Sequence, residues 1–192
     1  TLLEGMTINS GAKGRFQFDT TIINIDGQGN FVLASDDDKD INSNIGSSSI
    51  KINTVIPTIG GNTSTTKTTL KSGYSIYANE FKLYGEGEIG NVPLDSSIFI
   101  MEDNSFIDAP ITTLPYSPAD FSGGHGVKHS EVDVLSNATI IQDIGTSDNK
   151  MNDIKFLGAA GSVVNLSGDL HSDNIALSQP NVILGNDLVF DG

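Results

Sequence analysis

Large apolar residues recur in this chain as pairs one residue apart: Phe16/Phe18, Ile23/Ile25, Phe31/Leu33, Ile50/Ile52, Tyr74/Ile76, Phe81/Leu83, Ile98/Ile100, Val132/Val134, Ile154/Phe156, Val164/Leu166, Ile175/Leu177, Val182/Leu184 and Leu188/Phe190. Side chains at that spacing share one face of an extended strand and point apart on a helix. Between the pairs stand Gly, Asn, Asp and Ser, which tolerate left-handed backbone or bond to it locally and so turn the chain sharply. Asp26-Gly27, Ser72-Gly73, Ser167-Gly168-Asp169 and Gly185-Asn186-Asp187 are the clearest corners. Asn, Gly, Ser, Thr and Asp supply 92 of the 192 residues, and Ile outnumbers Ala by 22 to 9. That balance favours strands and turns over helices.

Many short strands with regular corners fit two all-β architectures, a parallel solenoid and an antiparallel sandwich. Tight hairpins favour Asn-Gly or Asp-Gly between longer alternating strands, and only Asp26-Gly27 qualifies. Most pairs are too short for a hairpin ladder but long enough for one side of a coil, and an Ile-rich apolar set suits stacked rows of like residues. The expectation is a right-handed parallel β-solenoid (β-helix), with the antiparallel β-sandwich as alternative. A single segment spanning 1–192 follows, with two extruded loops. One lies near 57–69, Thr-rich and carrying Gly60-Gly61. The other lies near 105–130, with Pro110, Pro115, Pro118, Gly123, Gly124 and Gly126. The chain starts at Thr1 and stops at Asp191-Gly192 directly after an apolar run, which reads as a piece cut from something longer.

With 10 basic and 24 acidic residues the net charge is −14. Such a chain repels nucleic-acid phosphates and the anionic face of a membrane, so neither is expected as a partner. No stretch approaches the roughly 18 apolar residues of a membrane span. The absence of cysteine removes disulfides, thiolate zinc sites and cysteine nucleophiles together.

Candidate chemistry is sparse. Asp36-Asp37-Asp38-Lys39-Asp40, with Asn42 and Asn44, spaces oxygen donors like the start of a calcium loop. The sixth position should be Gly and the twelfth Glu, yet they are Ile41 and Ser47, so a solvated acidic loop is expected. His125 and His129 stand four apart among glycines, with Asp120, Glu131 and Asp133 nearby. Four-residue spacing suits metal chelation on a helix, which three glycines within four residues oppose, so no metal and no cofactor are expected. Gly124-His125-Gly126 resembles a polygalacturonase tripeptide, but the companion Asp-Asp and Arg-Ile-Lys elements of that family are missing. No nucleophile elbow, phosphate-binding loop or dinucleotide fingerprint occurs. The long loop therefore carries the expected contact residues Tyr116, Asp120, Phe121, His125 and His129, since loops on rigid scaffolds are where recognition concentrates.

The run Ile144-Gly145-Thr146 through Met151-Asn152-Asp153-Ile154-Lys155-Phe156, followed by Val163-Val164-Asn165-Leu166-Ser167-Gly168-Asp169-Leu170 and Asn174-Ile175-Ala176-Leu177, resembles the passenger repeats of rickettsial surface antigens, the autotransporters typified by outer membrane proteins A and B. The resemblance covers roughly Ile140 to Gly192, about a quarter of the chain, and consists of turn and strand residues. It implies a β-solenoid passenger displayed on the bacterial surface, without catalytic activity, that mediates adhesion to or invasion of host cells through a host-cell surface protein. A β-helical enzyme acting on polysaccharide and a structural surface-layer spacer are the alternatives. The enzyme reading requires Asp120, His125, His129, Glu131 and Asp133 to converge in a cleft with Asp36 to Asp40.

Overall fold

A computed structural model describes residues 13–18, 21–26, 30–34, 38–57, 65–83, 96–113, 129–178, 180–185 and 189–191. All regular structure among them is β-strand. The chain opens with an antiparallel meander of β1 (Lys13–Phe18), β2 (Thr21–Asp26) and β3 (Asn30–Ala34), in which Phe16 faces Ile23 and Ile25 faces Phe31. The β2 to β3 connection is where Asp26-Gly27 signals a hairpin. From β3 onward every pairing between strands is parallel. The antiparallel sandwich is therefore set aside.

One sheet stacks β4 (Lys39–Ile41), β6 (Thr65–Leu70), β8 (Ser96–Met101), β11 (His129–Val134), β13 (Met151–Phe156) and β15 (Leu170–Leu177). A second carries β5 (Ile52–Ile56), β7 (Ser75–Lys82), β9 (Ser105–Asp108), β12 (Ala138–Ile140), β14 (Val163–Leu166) and β16 (Asn181–Leu184). The short strands β10 (Ile111–Thr112) and β17 (Phe190–Asp191) pair with the end of β7 and the start of β15.

The registers line the core up in three rows. Ile41, Leu70, Met101, Val134, Phe156 and Leu177 are successive partners in the first. Ile45, Ile76, Ile107, Ile140, Leu166 and Leu184 form the second. Phe31, Val55, Phe81, Ile111, Ile144, Leu170 and Phe190 form the third. From Ile41 on, the chain visits the rows in the same order in every layer. All but the last member of each row is buried, and these buried members join one apolar cluster. The last members are not covered: Leu177 is 63% exposed, Leu184 46% and Phe190 49%. Parallel strands lie about 4.8 Å apart, so each row residue packs on its predecessor, and among the described residues no strand follows the final layer.

Four sequence expectations need correction. The loop near 57–69 contains β6, whose Thr66 and Thr68 point inward and are buried, with Thr68 Oγ1 donating to the Pro57 carbonyl at 3.5 Å. Buried threonines carry no apolar signal, so a strand reads as loop. The loop near 105–130 likewise begins with β9 and β10 and ends in β11, and Ile107, Ala109 and Ile111 are fully buried. Pro110 takes a corner where its carbonyl accepts from Phe81 N at 2.9 Å, and its missing N–H costs nothing there. The remaining intervals, 58–64 and 114–128, lie outside the described residues. Together with 84–95 they all run from the third row back to the first. Finally, Ile98/Ile100 does not face the core: β8 buries Ser97, Phe99 and Met101 and leaves the isoleucines half-exposed. Ile50 also falls outside its strand, 48% exposed in the Ser47–Ile50 turn.

Side chains at the corners tie one layer to the next. Asn44 Oδ1 accepts from Ser75 N at 2.9 Å, Asn137 Oδ1 from Val163 N at 2.8 Å, Asp143 Oδ1 from Asp169 N at 2.8 Å, and Asp169 Oδ1 from Val189 N at 2.9 Å. These oxygens satisfy backbone donors that the short ladders leave unpaired. Asp103 Oδ1 accepts from Ser136 Oγ, Asn137 N and Asn137 Nδ2. Those bonds, that of the Asn137 side chain foremost, hold its carboxyl below the ordinary value of 3.8. A carboxylate depressed in the folded state stabilises above its unfolded pKa and loses that contribution as pH falls through the folded one. The urea midpoint is therefore expected to drop below about pH 4, less steeply in Asp103→Asn than in the parent chain. Equal slopes would remove Asp103 from the acid response.

Candidate functional site

Strand alternation and parallel register together build the one cluster of metal-ligating side chains among the described residues. On β11, Ser130, Val132 and Val134 turn inward, which sends His129, Glu131 and Asp133 to the other face. The register then sets Glu131 beside Asp153 and Asp133 beside Lys155 of β13. His129 Nε2 lies 3.0 Å from Glu131 Oε2 and 3.1 Å from Asp153 Oδ2. Lys155 Nζ lies 2.8 Å from Glu131 Oε1, the other carboxylate oxygen, and 3.7 Å from Asp153 Oδ2.

The electrostatics are uneven. Glu131 is buried, which works against its charge, yet hydrogen bonds from Lys155, His129 and Asp133 hold its carboxyl below the usual range. Asp133 goes the other way. Burial first, then the hydrogen bond and charge of Glu131, push its carboxyl up to about 7, and its Oδ1 is buried without a partner. The Lys155 ammonium is raised chiefly by its bond to Glu131. Like charges directly opposite on neighbouring strands repel, so the Glu131 and Asp153 pair stands only because cationic or proton-donating groups surround it.

Of the contact residues expected from sequence, His129 belongs to this cluster, at the first position of β11. Tyr116, Asp120, Phe121 and His125 lie outside the described residues. The acidic run does not reach the cluster: Asp40 sits on β4, and β6 and β8 separate it from β11. Asp38 Oδ1 instead accepts from Lys67 N at 2.9 Å. Asp36 and Asp37 lie outside the described residues. Asp153 and Lys155 were missed as site residues because nothing in sequence says which strand stacks on β11. His129 reads in sequence as the end of the 105–130 loop, although extending the Val132/Val134 alternation back by three residues sets His129, Glu131 and Asp133 on one face.

The second sheet carries an open depression of about 370 Å³ lined by Asn104, Ser105, Phe106, Asn137, Thr139 and Asn165, among others. It holds no charged side chain. No protein-family profile, curated protein or solved structure matches this chain.

Proposed function

We propose that the chain is a segment of a right-handed parallel β-solenoid, a non-catalytic autotransporter passenger displayed on a bacterial surface that mediates adhesion to or invasion of host cells. The observation that carries the solenoid part is the fixed order in which the chain visits three in-register core rows, layer after layer. In such a stack each layer contacts only its neighbours, so a whole layer can be removed without breaking the others. Excising residues 135–156, which joins Val134 to Leu157, is expected to leave a cooperatively folding β-protein by circular dichroism and urea titration. Excising 135–145, half a layer, is expected to unfold it. If both deletions unfold the chain, the solenoid reading falls.

The uncovered row ends Leu177, Leu184 and Phe190 support the reading of a segment that stacks on further coils. The parent chain is expected to self-associate through this end in light scattering, and replacing the three with lysine is expected to return a monomer; a monomeric parent chain would remove this support. The adhesive part is supported by the resemblance of residues 140–192 to passenger repeats. Deleting 114–128 should abolish binding of the purified chain to host cells. Unchanged binding would move the contact elsewhere on the stack, and no binding by the intact chain would favour the spacer.

A polysaccharide-cleaving enzyme has the pairing of a raised Asp133 with an ionised Glu131 in its favour. The acidic run that this reading needs lies elsewhere, however, with Asp40 on β4 separated from β11 by β6 and β8.

A further inference from the structure

We propose that His129 Nε2, Glu131 Oε2 and Asp153 Oδ2 form a binding site for a divalent transition-metal ion such as Zn²⁺ on the outer face of β11 and β13. Three observations converge on it. First, the donor atoms all lie within 4.8 Å of one another, with His129 Nε2 at 3.0 and 3.1 Å from the two oxygens. Ligands bound at about 2.1 Å in a tetrahedral shell stand about 3.4 Å apart, so the donors need to part by only a few tenths of an ångström to admit an ion. Second, Nε2 carries at most one proton, yet two carboxylate oxygens face it at hydrogen-bond distance. Whether the ring is neutral or charged, one proton cannot serve both contacts in a straight line. A cation between the three atoms satisfies all of them. Third, the remaining polar atoms are already arranged around the site. Lys155 binds Glu131 through Oε1 and leaves Oε2 free for the ion, the kind of outer contact that orients a metal-ligating carboxylate.

The imidazole decides the class of metal. A set of one nitrogen and two carboxylate oxygens suits Zn²⁺ and its neighbours, whereas Ca²⁺ takes six to eight oxygens. His129 is about a third exposed and Asp153 a fifth, so water can complete the coordination. The groups facing the site from neighbouring strands are Ser96, Ile98 and Ile100 of β8, Asn174 and Ala176 of β15, and Asp133 and Lys155 within the pair itself. Lys155 is the single cation among them, and the surrounding carboxylates leave room for a second positive charge.

Isothermal titration of the full 192-residue chain with ZnCl₂ in a non-chelating buffer at neutral pH tests the site. One saturable site is expected, weakened at least about tenfold in His129→Ala and in Asp153→Asn and unchanged in His171→Ala. CaCl₂ is expected to bind far more weakly and without dependence on His129. Both test residues are partly exposed, and His129→Gln offers a second variant should alanine disturb the strand. Absence of saturable Zn²⁺ binding by the parent chain would overturn the proposal. So would equal affinity in folded His129 and Asp153 variants, or Ca²⁺ binding as tight as Zn²⁺.

Discussion

Replacing Phe99 with alanine is expected to lower the unfolding free energy by about 3–5 kcal/mol, the range for deleting a fully buried aromatic ring. Phe99 has no exposed surface and its ring centroid lies 4.4 Å from that of Phe81, at 45°, in a tilted pair that contributes beyond area alone. Its register partners Thr68 and Val132 are buried above and below it, so no side chain nearby is free to fill the cavity. The comparison that gives the experiment force is Ile98→Ala, one residue away on the same strand. Ile98 is half-exposed, and its truncation is expected to cost about 1 kcal/mol. Urea titrations of the two variants decide which face of β8 meets the core. A larger loss at Ile98 than at Phe99 would invert the strand and break the first row, which runs through Met101.

The second large effect is expected at Gly145. Its φ is +75°, and a Cβ there would run into the backbone carbonyl of His171 in the next layer. Gly145→Ala therefore combines the left-handed penalty of about 1–2 kcal/mol with overpacking against backbone that cannot rotate away, about 2–5 kcal/mol together. Gly161 separates the two causes. It has φ +93° but open space where a Cβ would stand, so Gly161→Ala should cost only the conformational part, about 1–2 kcal/mol. Thermal unfolding of both variants measures the difference. Equal losses would mean that the close approach of Gly145 to His171 is not a constraint on the stack.

Much of this fold is legible in the chain because a stacked row asks for the same residue type at each turn. Val132/Val134, Ile154/Phe156 and Val164/Leu166 announce strand and core face together, and all six side chains are buried. Asp26-Gly27 marks the place where the antiparallel meander turns. Legibility fails where a strand is apolar on both faces. Nothing local in Ser96–Met101 distinguishes Ile98/Ile100 from Phe99/Met101, and stacking on Leu70 below and Val134 above selects the latter. It fails again where the inward residues are polar, as with Thr66, Ser97 and Ser130, which share a buried register row. The His129 cluster is half legible for a related reason. The Val132/Val134 alternation carries the signal for its three β11 members, which the loop reading of 105–130 hid for His129, while Asp153 and Lys155 come from a partner strand some twenty residues away.

Short-range pattern thus determined, without help, that this chain is built of brief strands and sharp corners, because the two-residue period and the conformational freedom of Gly, Asn and Asp are properties of the residues themselves. Which strand lies on which, which face of an ambiguous strand turns inward, and which carboxylates are forced side by side were decided only by the tertiary structure. Parallel pairing joins residues distant in sequence, and its register is fixed by the packing of whole rows rather than by any one segment.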